Sequence, residues 1–185
     1  GDLKGKSIND GPLGVSRFTG TMLLAEEYGF DKGNIIGADY DKMPGMHFDN
    51  AAAGCVVYGS IPHIVPNEIL TRQPKANILP ISEEVRDAIN ERNPGYIKID
   101  IPANSFKNQN EPVPTFGSMT AIVARPDLSE EFIYKLLKYT WEHKNELIDA
   151  HSVYKQFTKE RVDMGRTIEW HPGAKKFWKE VGVIE

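Results

Sequence analysis

Ser7-Ile8-Asn9-Asp10-Gly11-Pro12-Leu13-Gly14-Val15-Ser16-Arg17 carries the first strand-to-helix turn of the chain. Residues 7–10 read as a short strand, Gly11-Pro12-Leu13-Gly14 as a bend, and 16–28 as a helix. Val15, Phe18, Met22 and Ala25 recur three or four apart, which gathers apolar side chains on one helical face. Gly29 stands where a left-handed residue closes a helix at least steric cost. Strand, glycine turn and helix together make the opening unit of an alternating α/β chain.

The alternation continues downstream. Residues 34–40 predict a second strand. Ala51-Ala52-Ala53-Gly54-Cys55-Val56-Val57-Tyr58, within 48–58, lacks polar alternation, as does a strand covered on both faces of a parallel sheet. Gly59-Ser60-Ile61-Pro62 breaks it, and 63–71 predicts a short helix with Pro66 in its first turn. A short strand at 77–81 follows. Ser82 then caps a helix over 83–92, whose leading acids suit the positive helix end. Residues 96–102 alternate as a strand, 104–114 form a polar connection or hinge, and 119–124 read as a buried strand. The longest helix is expected over 129–150. Its apolar face comprises Ile133, Leu136, Leu137, Thr140, Leu147 and Ile148, and Leu128 and Ile133 form a staple around the Ser129 cap. His171-Pro172-Gly173 starts a last amphipathic helix over 174–181.

Composition narrows the function. The 185 residues carry a net charge of −4, which argues against a general nucleic-acid binder, since those normally have a basic surplus. A chain of this length buries roughly 70% of its unfolded surface and needs no staples. The single cysteine, Cys55, excludes an internal disulfide framework and a multi-cysteine zinc site. No apolar run approaches the ~20 residues of a membrane span. The opening Gly1-Asp2, where a Met start is absent, is what a processed or trimmed chain has.

The loop 11–17 is the most informative local feature. A glycine turn feeding a helix leaves first-turn N–H groups unpaired, and an anion can accept them. Ser16 adds a hydroxyl and Arg17 a guanidinium able to fork a carboxylate. The plainer reading is an ordinary turn with Ser16 as a cap and Arg17 in water. Ser16 makes a poor nucleophile, because Phe18 occupies the second glycine position of the hydrolase elbow G-x-S-x-G. His47, His63, His143, His151 and His171 form no zincin pair, and Asp39 and Asp41 do not continue into a calcium loop. No catalytic, metal or cofactor constellation emerges, so the expectation is a non-enzyme without a cofactor. Tyr58-Gly59-Ser60 leaves the end of a buried strand. Ligands of open α/β sheets bind at the carboxyl ends of strands, so this bend and the 11–17 loop are expected to share a cleft. Two unrelated surface turns are the alternative.

Taken together, Leu3-Lys4-Gly5-Lys6, Ile78-Leu79-Pro80-Ile81, Ile101-Pro102, Asn104-Ser105-Phe106, Val113-Pro114-Thr115, Asp127-Leu128-Ser129-Glu130-Glu131 and His171-Pro172-Gly173-Ala174-Lys175-Lys176-Phe177 resemble TAXI-type solute receptors of TRAP transporters, in their order and spacing. The resemblance implies a periplasmic-binding-protein fold of the second type, an α/β lobe with a mixed sheet flanked by helices. It implies that the chain is the C-terminal part of such a receptor. Residues 1–111 would form the second ligand-binding lobe, and 112–185 a return segment lending a strand and helices to the first lobe. It further implies an extracytoplasmic receptor, periplasmic or membrane-associated outside the cell. The partners would be a small organic anion, a carboxylate or amino acid, and the subunits of a TRAP membrane permease. Gly14, Val15, Ser16 and Arg17 would seat the anion, and Tyr58, Gly59 and Ser60 would line the opposite wall. The family's usual turn is a run of small residues, and Leu13-Gly14-Val15-Ser16-Arg17 departs from it, which points to a different or larger acid than glutamate. A ligand-sensing effector domain of a regulator is the alternative that the same fold permits.

Overall fold

The computed structural model describes residues 3–12 and 20–185. These residues form two compact units, Gly1–Gly117 and Ser118–Glu185.

In the first unit the chain enters through strand β1 (Ile8–Asn9), which stands between β2 (Ile35–Ile36) and β3 (Gly54–Cys55) in one parallel sheet of order β2-β1-β3. Ile8 lies opposite both Ile35 and Gly54, and Asn9 opposite both Ile36 and Cys55. The ladder runs past the formal strands. Ala53 N–H donates to the Ser7 carbonyl at 2.9 Å, Val56 N–H to Asn9 at 2.7 Å, and Ala38 N–H to Gly11 at 3.0 Å. Gly11 has a φ of 62°, a left-handed conformation glycine adopts without penalty, so the central strand ends there. The class expected from the alternation is therefore present: α/β, with a small parallel sheet flanked by helices.

Helix α1 is described over Gly20–Tyr28 and ends on Gly29 at φ 66°, with Phe30 N–H returning to the Ala25 carbonyl at 3.1 Å. Of its expected apolar face Ala25 is buried and Met22 half-buried, whereas Val15 and Phe18 fall outside the described residues. Helix α2 (Met43–Phe48) has no counterpart in the sequence reading, because Pro44-Gly45 looks like a breaker. Pro44 sits in the first turn, where no intrahelical N–H is needed. Helix α3 (Ile64–Arg72) and α4 (Glu83–Arg92) match expectation, and so does strand β4 (Tyr96–Ile101). Ser82 stands at the N-cap of α4 without a side-chain cap bond; its N–H donates to the Tyr28 hydroxyl at 3.0 Å.

Three expected strands need correction. The long strand at 48–58 is only Gly54–Cys55, since Ala51 and Ala53 are exposed in the turn after α2. Residues 77–81 form no strand; Ile81 makes an isolated bond to the Pro114 carbonyl at 2.9 Å. Residues 119–124 form no strand and none of them is buried, with Ile122 74% and Val123 73% exposed. The sheet partner arrives earlier in the chain, as β5 (Val113–Ser118), which pairs with β4. The compact units divide at 117/118, at the end of β5.

The first unit has two apolar centres. Leu24, Val85, Ile89, Tyr96 and Phe116 join α1, α4 and the β4-β5 pair, and Met43, Val65 and Ile69 join α2 to α3. In the second unit, helix α5 (Glu130–Glu142) packs on α7 (Pro172–Glu180) through Ile133, Ala174, Phe177 and Trp178. Ser129 caps α5, accepting from Phe132 N–H at 3.2 Å, and Leu128 packs against the cluster that contains Ile133. The single long helix expected here is interrupted at His143, and α6 (Lys144–Ala150) follows as a separate element. Leu136 is not on the core face but 37% exposed.

Candidate functional site at the carboxyl edge of the parallel sheet

Parallel strands deliver their following turns to one edge. Here that edge receives residues 10–12 after β1, 37–40 after β2 and 56–60 after β3. The anion seat expected at Gly14, Val15, Ser16 and Arg17 lies outside the described residues, but both its flanks are visible. Upstream, Asp10 is fully buried and accepts a hydrogen bond from the Thr21 hydroxyl in the first described turn of α1, tying the strand end to the helix. Downstream, Gly20 lies so close to Tyr58 that a Cβ there would collide with the phenol oxygen and stand 2.6 Å from Cζ.

Tyr58, Gly59 and Ser60 therefore leave the same sheet edge as Asp10. Tyr58 turns its ring into the core against Tyr96 and Phe116, with centroids at 6.5 and 6.4 Å. Only Gly59 and Ser60 present an exposed rim.

The bend is held by two residues the sequence reading did not assign to the site. The Tyr40 hydroxyl donates to the Tyr58 carbonyl at 3.1 Å, binding the segment after β2 to the segment after β3. His63 meets the Tyr40 ring edge-on at 5.0 Å and lies over Gly59, where an added Cβ would stand 2.5 Å from its Cδ2. The ring also caps α3, its Nδ1 accepting from Val65 N–H at 3.3 Å. Burial holds the His63 ring below the ordinary histidine range. Burial, with the nearby Asp10 charge, raises the Tyr40 phenol above its usual value. Cys55, at the end of β3, is pushed up to about 11 by burial and stays a thiol. A signal for Tyr40 existed, because it closes the predicted strand 34–40, at the carboxyl end where ligands of open α/β sheets bind. His63 had less, since histidine is outside the usual N-cap set.

Elsewhere in the first unit a cavity of about 300 Å³ lies beside Lys6, Ser7 and 50–53, at the amino edge of the sheet. A second, of about 340 Å³, lies beside Leu70, 76–78 and 107–113. Among the described residues no three of His, Cys, Asp or Glu converge as a metal site, and no helix is long and apolar enough to cross a membrane.

A parallel sheet flanked by helices, with its polar and aromatic groups gathered at the carboxyl edge, is the architecture of a solute-binding-type domain. Residues 1–182 match the model of the NMT1-like family, a periplasmic-binding-protein-like family of binding proteins, and the chain belongs to it.

Proposed function

We propose that this chain is part of an extracytoplasmic solute receptor of the TRAP type, which takes up a small organic anion and delivers it to a membrane permease. The observation that carries the reading is the shared edge of β1, β2 and β3, which receives the turns after Asn9, Ile36 and Cys55. Family membership supports the binding role. In this reading Gly14, Val15 and Ser16 offer backbone N–H groups, Arg17 neutralises the carboxylate, and Gly59 and Ser60 close the facing rim. Asp10, engaged by Thr21 and fully buried, acts as a structural tie rather than as a competing surface charge.

Residues 118–185 belong, in the same proposal, to the companion lobe. Their exposed apolar stretch at 119–124, with Phe132, Leu136 and Tyr139 exposed along one side of α5, is surface on which the remainder of that lobe's sheet packs. A micromolar receptor requires about −8.2 kcal/mol, more than one helix end supplies at ~0.3–1 kcal/mol, so groups beyond that helix end contribute to affinity.

The test is calorimetry with a panel of dicarboxylates and amino acids on the intact receptor. Heat is expected for at least one carboxylate, and the double variant Ser16→Ala, Arg17→Ala is expected to lose at least ten-fold in affinity, about 1.4 kcal/mol. Unchanged affinity in that variant would remove the anion seat from positions 14–17.

A further inference from the structure

Three of the five histidines cap helical segments in the same way. Nδ1 of His63, His151 and His171 accepts the backbone N–H two residues on, at 3.3, 3.1 and 3.2 Å. A ring nitrogen that accepts carries no proton, so each cap requires Nδ1 bare. His151 and His171 belong to the second unit, whereas His63 stands beside the 58–60 bend. That bend is gripped at two neighbouring residues. Tyr40 holds the Tyr58 carbonyl at 3.1 Å, and the His63 ring, itself packed on Tyr40, bounds Gly59.

We propose that Tyr40 and His63 are positioning residues for the rim of the solute site, and that His63 holds the rim only while its ring is neutral. The functional meaning rests on the site reading given above; the geometry is that of the bend itself. Protonating Nδ1 sets two donors, the ring N–H and Val65 N–H, face to face, and the cap bond is lost. The ring must then turn, and it is the surface against which Gly59 lies. Burial already disfavours the charged ring. The groups around it leave the transition to His63. Tyr40 is held protonated by burial and by Asp10 behind it. On α3 itself Glu68 and Arg72 pair with each other at 3.0 Å. The bend, Gly59-Ser60-Ile61-Pro62, carries no titratable side chain.

The experiment is a two-dimensional NMR titration of the 185-residue chain from pH 8 to pH 5 without ligand. It follows the His63 ring and the amides of Gly59, Ser60 and Val65. All are expected to move together, with one midpoint below 6.5. Protection of the Val65 amide against exchange should fall roughly five-fold on protonation, the size of one lost cap bond. His63→Asn supplies a cap oxygen that does not titrate, and should leave the Gly59 and Ser60 shifts flat with α3 intact. Tyr40→Phe should displace the amides of 58–60 at every pH and leave the His63 titration in place. Gly59 and Ser60 amides that ignore the His63 titration, or that shift over the same pH range in His63→Asn, overturn the proposal. Since no ligand is added, that failure is distinct from failure of the solute reading, which shows only when carboxylates are supplied.

Discussion

At Gly20 the backbone of α1 and the phenol of Tyr58 approach so closely that no side chain fits between them. Gly20→Ala must push Tyr58 off Tyr96 and Phe116, and is expected to destabilise the first unit by about 1–3 kcal/mol, the usual cost of overpacking, as read from urea unfolding. Cys55 offers a chemical check on the same region. With its thiol at about 11, roughly one part in a thousand is thiolate at pH 8, and only the thiolate reacts. Iodoacetamide should therefore label it slowly in the folded protein and rapidly in denaturant; equal rates by mass spectrometry would contradict its burial. His63 adds a pH dependence whose sign follows from its lowered folded value. The unfolded chain binds the proton first as pH falls, so stability is full above about 6.5 and declines from there toward the folded value. The urea midpoint should drop over that window, and drop less in His63→Asn.

Among the elements, α5 and α7 pack with almost no space between backbones. A Cβ on Gly173 would collide with the Glu130 carbonyl oxygen and stand 2.9 Å from the Tyr134 nitrogen. Gly173→Ala should separate the helices and lower the unfolding midpoint of the second unit, whereas Gly45→Ala, in open space on α2, should leave the first unit near wild type. The loop after β4 depends on Gln109 in a comparable way. Its Oε1 accepts from Ser105 N–H at 3.0 Å and Phe106 N–H at 3.3 Å, while Nε2 donates to the Pro102 carbonyl at 3.0 Å and to that of Glu111. Gln109→Glu keeps the shape but replaces the donors, leaving two carbonyls facing a carboxylate. A loss of about 2–3 kcal/mol is expected, since each orphaned buried group costs about 1 kcal/mol or more. What was legible here is what local chemistry decides: α4 with its acids, α5 with the Ser129 cap, α7 after His171-Pro172, and the alternating β4. What was not legible depends on partners distant in the chain. Residues 119–124 have strand composition and no strand beside them among the described residues, and β propensity acts only through such neighbours. Val113–Ser118 contains Pro114 and Gly117, poor strand formers, yet pairs with β4. The bend at 58–60 was readable from its glycine, but Tyr40 and His63 reach it only through the tertiary fold.

For the whole molecule, the chain forms two compact units that divide at 117/118, and the second exposes Ile122, Val123 and one side of α5. In the proposed function, solute is held at the carboxyl edge of β2-β1-β3 rather than at either cavity elsewhere in the first unit. Amide shift mapping by NMR during addition of millimolar carboxylates tests it most directly, since weak binding to one wall still moves nearby signals. Shifts are expected to concentrate at Asp10 and Gly11, 14–17, 37–40 and 58–60. Shifts concentrated instead around Lys6 and 50–53, or around 107–113, would contradict it.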